Sequence, residues 1–379
     1  MAGAAVRDSP TMRILHVVGR SHRRGAEVVA LELASELDGR GHTDTLVAVG
    51  PGHQGDRVVE LAALTGAVRQ HPVSLLRAAR GLRREIRSRP PDVVLAHGGS
   101  ALQVAVLAAG RSGPPVVYQL ILGMPSGERG RVWHAWWRWL LVRTAGAVAL
   151  TQVLADEIVA LGLRAPVWVV PNARRADRFR GIDREACAAR LREAAGIDPA
   201  TMLVGFVGHL VEQKRPDRAV EVLAALRSDG HDVHLLVAGA GPLGSAVRDL
   251  VDRLGVADRV TLLGHRTDPE AVLGGLDVFL LTSDDEGMPG VAIEAQMAGC
   301  PVVSFPVGGV AEVVGDGETG IVLAAHEVDA MADAVGRLLA DPARRRTMAE
   351  AALRRSQRFA LEVVAGQYES LLADVVDRH

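Results

Sequence analysis

Two glutamates eight residues apart, Glu286 and Glu294, flank the run Gly287-Met288-Pro289-Gly290-Val291-Ala292-Ile293. Glycine and proline mark a loop, and Gly290 to Ala298 reads as a helix that follows it. A helix opening there offers its first backbone N–H groups, those of Gly290 and Val291 among them, and the positive end of its dipole. That end suits a diphosphate. Glu294, one turn in, can accept hydrogen bonds from sugar or ribose hydroxyls. Glu286, in the loop, can contact a second sugar ring. A second glycine-rich turn, Pro306-Val307-Gly308-Gly309, follows the next apolar run.

Lys214 is the only lysine among 43 basic long side chains. Arginine is a wide planar fork and lysine a compact point charge, so a tight pocket around a phosphate oxygen selects lysine. Other candidates carry weaker signals. His97 ends "DVVLAH", His209 follows "MLVGFVG", and Gly239 and Gly241 form the tight turn "GAG". Gly25 opens a helical stretch where it can approach a phosphate or an acceptor, and His265 and Arg266 follow "VTLLG". Cys187 and Cys300 are too far apart to suggest a disulfide framework or a zinc site. No metal ligand set is expected.

These residues punctuate short β-branched runs that alternate with helical stretches. "MRILHVV", "TLVAV", "DVVLA", "PVVYQLI", "AVALT" and "VWVVPNA" form a first series. "MLVGFVG", "VHLLVAG", "VTLLG", "DVFLLT", "PVVSF" and "GIVLAA" form a second. The alternation predicts an α/β protein with two doubly wound parallel-sheet units joined near residue 175, with ligands beyond the carboxyl ends of the strands. Two facing units of this kind would hold their ligands in a cleft. The expected divisions are 1–175, 176–357 and a terminal amphipathic helix over 358–379, with residues 1–11 as a disordered tail.

At 379 residues the chain suits two domains, and 48% hydrophobic residues supply two cores. A net charge of −2 argues against a nucleic-acid binder. Residues 1–172 carry 20 Arg against 13 acids, and the remainder 23 Lys plus Arg against 32, so the halves stand at +7 and −9. The opening residues lack the apolar stretch of a signal peptide, and Val93 to Ala109 is interrupted by His97 and Gln103. A cytoplasmic protein is expected, soluble or peripheral to the inner face of the membrane.

Four of five tryptophans lie in "WHAWWRWLLVR", residues 133–143. On a helix, Trp133, Trp136, Trp137 and Leu140 form one apolar stripe and Trp139 its border. The stripe is expected to pack on the sheet, with Trp139 at a lipid headgroup level or stacked on a sugar. Residues 77–89 hold six arginines. With the basic first half they suit an anionic membrane or an anionic acceptor.

The stretch from Glu286 to Glu294 closely resembles the signature of family 4 glycosyltransferases, which share the GT-B fold and retain anomeric configuration. The resemblance runs along almost the whole chain, through "GAEVVALELASEL", "GRGHTDTLVAV", "PDVVLAHGG", "VVPN", "FVGHLVEQKRPD", "VAGAGP", "VTLLGHR" and "FALEVVAGQY". It implies a retaining, hexosyl-type transfer from a nucleotide diphosphate sugar without metal or cofactor. In that reading Glu286 contacts the donor sugar and Glu294 the ribose. Lys214 neutralises the departing diphosphate, and His97 lies near the cleft. Gly239 and Gly241 line the nucleotide side, and backbone near His265 and Arg266 reads the base. The first domain binds an unidentified acceptor, for which a lipid-linked or anionic one is expected, with membrane contact through Trp139 and nearby arginines. The chain departs from the family pattern in three places. His209 stands where the family has arginine, Gln119 to Ile121 lack its histidine, and Ala173 replaces the glycine after "VPN". His209 and the missing histidine keep a catalytically degenerate binding protein as an alternative, and the shared two-domain fold keeps a sugar-nucleotide epimerase as another.

Overall fold

The computed structural model of the protein describes residues 11–21, 25–51, 62–64, 72–123 and 130–379, with only the backbone of residues 25, 26 and 62. The tail expected over residues 1–11 lies outside these residues, except for Thr11. The chain forms two compact units. One comprises Met1–Ala173 with Leu361–His379, and the other Arg174–Ala360.

In unit 1 the described elements are β1 (Arg13–Ser21), α1 (Gly25–Gly39), β2 (Thr43–Pro51), β3 (Ala62–Ala63), α2 (Pro72–Ser88), β4 (Val93–His97), α3 (Gly99–Ala109), β5 (Val116–Leu120), α4 (Arg131–Leu141), β6 (Gly146–Ala149), α5 (Gln152–Ala160) and β7 (Val167–Val169). Unit 2 holds α6 (Arg184–Ala195), β8 (Met202–Val207), α7 (Pro216–Ser228), β9 (Val233–Ala238), α8 (Gly244–Arg253), β10 (Val260–Gly264), α9 (Pro269–Gly275), β11 (Val278–Leu281), α10 (Gly290–Met297), β12 (Val302–Ser304), α11 (Val310–Val313), β13 (Gly320–Val322), α12 (Val328–Ala340) and α13 (Pro342–Ser356). The last helix, α14 (Leu361–Arg378), returns to unit 1.

Both sheets are parallel, so the doubly wound α/β architecture read from the alternation is the one observed. The first sheet runs β3-β2-β1-β4-β5-β6-β7 and the second β10-β9-β8-β11-β12-β13. Every residue of β4 and β5 is buried, as for central parallel strands covered on both faces. In α2, Ala78, Ala79, Leu82 and Ile86 are buried on one stripe and the arginines lie outside. One face of the first sheet, through Ile14, Leu95, Val117 and Val148, packs in one apolar cluster with Leu33 and Leu37 of α1. Val364, Tyr368, Leu372 and Val375 of α14 complete it, so the terminal helix is part of the unit 1 core.

Strand order reverses once in each sheet, between β1 and β4 and between β8 and β11. At such a point the loops from neighbouring strands diverge to opposite faces and leave a crevice at the carboxyl edge.

Candidate active site

Lys214 follows β8 and Glu286 follows β11, so the two stand on either side of the unit 2 switch point. Lys214 Nζ donates to Glu286 Oε1 at 2.5 Å, and Ser283 Oγ donates to the same oxygen at 2.7 Å. The Glu286 side chain is 8% exposed and that of Lys214 28%. Oε2 of Glu286 makes no hydrogen bond among the described residues, which leaves an acceptor for a ligand hydroxyl. A short 3-10 turn, Glu212–Lys214, carries the lysine. It is laced to the β11 loop, because Thr282 Oγ1 donates to the Lys214 carbonyl at 3.0 Å and Gln213 Nε2 to the Asp285 carbonyl at 2.9 Å. The lysine is therefore held by the strand that carries its partner.

Sequence reasoning missed two arginines beside this pair. Arg215 Nη2 meets Asp217 at 2.7 Å and Arg218 Nη1 meets Asp284 at 2.6 Å. Arg215 adopts a left-handed φ of 48°, where a residue preceding Pro216 is kept from the right-handed helical region. Ordinary loop charges gave no spacing signal for either.

Helix α10 begins at Gly290, as the spacing predicts, and ends one residue earlier, with Ala298 as its C-cap. The amides of Gly290 and Val291 are the first of this helix and have no intrahelical acceptor. Glu294 Oε1 accepts from Arg174 Nε at 2.7 Å, and a Cβ on Gly290 would lie 1.4 Å from the Arg174 guanidinium. Arg174 thus occupies the space that glycine leaves, another partner the sequence did not signal. The two glycine turns clamp their neighbours. Gly308, with φ of 42°, would place a Cβ 1.4 Å from the Glu286 carbonyl oxygen, and Gly309 N donates to Gly287 O at 2.8 Å. Gly239 and Gly241 press on the backbone of Gly208 and Leu210, where a Cβ would come within 1.8 and 2.4 Å of a carbonyl oxygen. Both glycines are thus packed on the turn after β8. Met288 is 5% exposed, so its side chain belongs to the core.

His209 is exposed in that turn and has no side-chain hydrogen bond or ion pair among the described residues. His265 and Arg266 follow β10, two strands from β8 and about 10 Å away along the sheet. Both are exposed, and Arg266 is engaged with Asp268 at 2.7 Å. Among the described residues no group of three or more His, Cys, Asp and Glu is placed to hold a metal ion.

His97 ends β4, at the unit 1 switch point, but it is 3% exposed and both ring nitrogens are used. Nε2 meets His16 Nδ1 at 3.0 Å, and Nδ1 meets Gln119 Oε1. The chain continues from His16 Nε2 to Asp44 Oδ1 at 2.6 Å and from Gln119 Nε2 to the Tyr368 hydroxyl at 2.7 Å. Burial, with the nearby His16, pulls the His97 pKa down to about 3. His97, for which a catalytic role is expected, is here a link in a buried polar chain with both ring nitrogens engaged. Gln119, which stands where a family histidine was sought, is the next link. Gly25 opens α1, but residues 22–24 before it lie outside the described residues.

The profile "Glycosyl transferases group 1" matches residues 188–355, and "Glycosyltransferase Family 4" matches residues 23–178. The chain is 30% identical to the alpha-D-kanosaminyltransferase of Streptomyces kanamyceticus over 318 residues, which cover 79% of this chain and 81% of that one. This chain belongs to the glycosyltransferases of GT-B fold. It is also 35% identical over 213 residues to the 2-deoxystreptamine glucosyltransferase of the same organism, an alignment that covers 54% of each chain. The crystal structure of HepE from Anabaena in complex with UDP-glucose superposes with a TM-score of 0.79 at 22% identity, covering 96% of this chain and 100% of that one.

The glycosyltransferase uses its tryptophans differently from the expected stripe. Trp137 is 8% exposed and Leu140 fully buried, with the Trp137 ring seated over Gly99, where a Cβ would lie 2.7 Å from it. Trp133 and Trp136 are only half-buried, which corrects their assignment to the core. Trp136 stacks on Trp139 with centroids 5.1 Å apart, and Arg143 lies 4.0 Å over the Trp139 ring. Trp136 Nε1 donates to Gln103 Oε1 at 3.2 Å. No helix among the described residues is long and apolar enough to cross a membrane.

Proposed function

We propose that the chain transfers a sugar from a nucleotide diphosphate sugar to an acceptor hydroxyl with retention of configuration. One observation carries this reading: the sole lysine pairs with Glu286 across the unit 2 switch point, beside the amino end of α10. The bond between the anomeric carbon and the diphosphate oxygen breaks, and the acceptor oxygen forms its bond on the same face. The hydroxyl proton leaves with the diphosphate. Charge grows on that diphosphate, and the Lys214 ammonium and the amides of Gly290 and Val291 oppose it most strongly in the transition state. Glu286 keeps Oε2 for a donor-sugar hydroxyl, and Glu294, fixed by Arg174, takes the ribose. His209 adds a cation when protonated. With positive groups of its own at this edge, the chain is expected to work without added metal.

HepE, of the same fold, was crystallised with UDP-glucose, which supports a uridine diphosphate sugar as the first donor to test. The names of two relatives point to cyclitol acceptors: the 2-deoxystreptamine glucosyltransferase above, and the D-inositol 3-phosphate glycosyltransferase of Nocardia farcinica, 33% identical over 77% of this chain and 63% of that one. We also propose that unit 1 meets an anionic membrane surface through α2 and the edge of α4, as befits a lipid-linked or anionic acceptor. A panel of uridine, guanosine and adenosine diphosphate sugars, with both cyclitols present and with chelator, reads out nucleoside diphosphate release. Release from one donor with an α-linked product from an α-linked donor supports the reading. No release from any donor sinks it.

A further inference from the structure

The amino edge of the unit 2 sheet lies at the opposite end of the strands from Lys214 and Glu286. There, α6 and α13 flank an open pocket of about 390 Å³, with Asp277 and Pro301, the residues just before β11 and β12, in its wall. Four arginines line it, Arg184, Arg192, Arg345 and Arg346, against two carboxylates, Glu185 and Asp277, a local charge of +2. Unit 2 as a whole carries 22 Lys plus Arg against 28 acids, so this pocket inverts the sign of its surroundings.

Its carboxylates do not neutralise its arginines. Arg192 and Arg345, with side chains 17% and 15% exposed, share Asp277 at 3.7 and 4.0 Å. Asp277 also accepts from Leu203 N at 2.8 Å. Among the described residues Arg184 has no carboxylate partner and instead donates to the carbonyls of Ala298 at 2.8 Å and Leu276 at 2.6 Å. Arg346 is exposed and has neither hydrogen bond nor ion pair among the described residues. Gathering guanidinium groups out of water is costly unless an anion meets them. Arg192 also donates through Nε and Nη2 to the Thr201 carbonyl, and Arg345 through Nη1 to the carbonyls of Leu338 and Leu339, so each of these guanidinium groups keeps its other N–H groups for a ligand.

We propose that this pocket binds a small phosphorylated anion of two or more negative charges, apart from the Lys214–Glu286 edge. Guanidinium forks match phosphate oxygens in pairs, and the cavity is of the size that holds small ligands. The pocket's excess charge suits a diphosphate or a phosphate ester better than a monoanion.

The test is calorimetric titration of pyrophosphate into Lys214→Ala protein, which removes the cation at the other edge. One pyrophosphate per chain is expected, bound more tightly than inorganic phosphate. The double variant Arg346→Glu/Ala349→Glu places two carboxylates at the mouth, at positions whose side chains make no bonds. In the Lys214→Ala background it should weaken binding by roughly tenfold or more. Melting in buffer alone shows that each variant is folded. If pyrophosphate does not bind the Lys214→Ala protein at millimolar concentration, or if the double variant weakens it by less than tenfold, the arginines serve only to tie down carbonyls and the proposal fails.

Discussion

At the scale of single residues the decisive contact is Lys214 with Glu286. In the proposed transfer its charge opposes a diphosphate whose own charge grows as the bond breaks, so its loss would fall on turnover more than on donor binding. Lys214→Ala should lower kcat by roughly a hundredfold to a thousandfold, as the loss of one preorganised donor does elsewhere. Lys214→Arg keeps the charge but not the shape. The ammonium sits 2.5 Å from a glutamate that is itself 8% exposed, a space a fork does not share. Activity of Lys214→Arg should stay well below wild type, and a wild-type rate would show that shape is irrelevant. The buried polar chain makes a second prediction. With one proton, His97 donates from Nδ1 to Gln119 and accepts at Nε2 from His16 Nδ1. Nitrogen-15 shifts should show the His97 imidazole singly protonated, with its proton on Nδ1. Because burial and His16 hold His97 near 3, below its unfolded value, the unfolded chain takes up that proton first. The contribution of His97 to stability is present above about 6.5 and is lost as the pH falls from there toward 3. The His97 Cε1–H shift should therefore stay flat between pH 7.5 and 5, and a midpoint inside that range would contradict the burial argument.

At the scale of elements, glycines decide where the site loops sit. Gly308→Ala would need to move the Glu286 carbonyl, which a Cβ at that position would meet at 1.4 Å. Strain of this kind costs about 1–3 kcal/mol, read as a melting temperature lower by several degrees, and turnover should fall with the displaced Glu286. Gly230→Ala is the contrast, because Gly230 has φ of 83° but nothing within 4 Å of an added Cβ. It should cost only about 1 kcal/mol of left-handed backbone penalty and leave turnover unchanged. Equal losses of activity in both would remove the special status of the Gly308 turn. The same contrast explains what the sequence made legible. Runs such as "DVVLAH" and "PVVYQL" announce central strands, because burial on both faces demands unbroken apolar residues. Glu286, Glu294 and Gly290 are legible because loop, helix start and spacing are local. Arg174, Tyr368 and Asp44 were not, since each reaches its partner from a distant stretch of chain and no short pattern encodes that meeting. Trp133 and Trp136 were misplaced for a related reason. Periodicity gives the side of a helix but not how far the sheet beneath it extends.

At the scale of the whole molecule the charge is divided between the units. Unit 1 carries 21 Lys plus Arg against 17 acids and unit 2 carries 22 against 28, so they stand at +4 and −6 within a chain of −2. On unit 1 the excess is concentrated on α2. Arg77, Arg80, Arg84 and Arg87 recur at helical spacing, are exposed and make no ion pair or hydrogen bond among the described residues, whereas Arg83 is tied to the carbonyls of Leu107 and Ala108. Val73 and Leu76 on the same helix are 57% and 49% exposed. Each basic residue near an anionic bilayer contributes about 1 kcal/mol, so four aligned arginines supply roughly a thousandfold partition toward it. On α4, Val132 is 83% exposed while Trp139 is half-buried between Trp136 and Arg143, so the tryptophan adds less than the arginines do. The proposed membrane contact therefore predicts an order of effects in vesicle sedimentation. Wild-type protein should sediment with phosphatidylserine vesicles at low salt and not with neutral phosphatidylcholine. Half-molar salt should release it, because the screening length there falls to about 4 Å. Arg77→Glu/Arg80→Glu/Arg84→Glu should abolish binding, and Trp139→Ala should reduce it only a few-fold. If the triple variant sediments like wild type, α2 is not the contact. If neutral vesicles bind equally well, charge is not the cause, and the basic stripe is then only a solvated helix face.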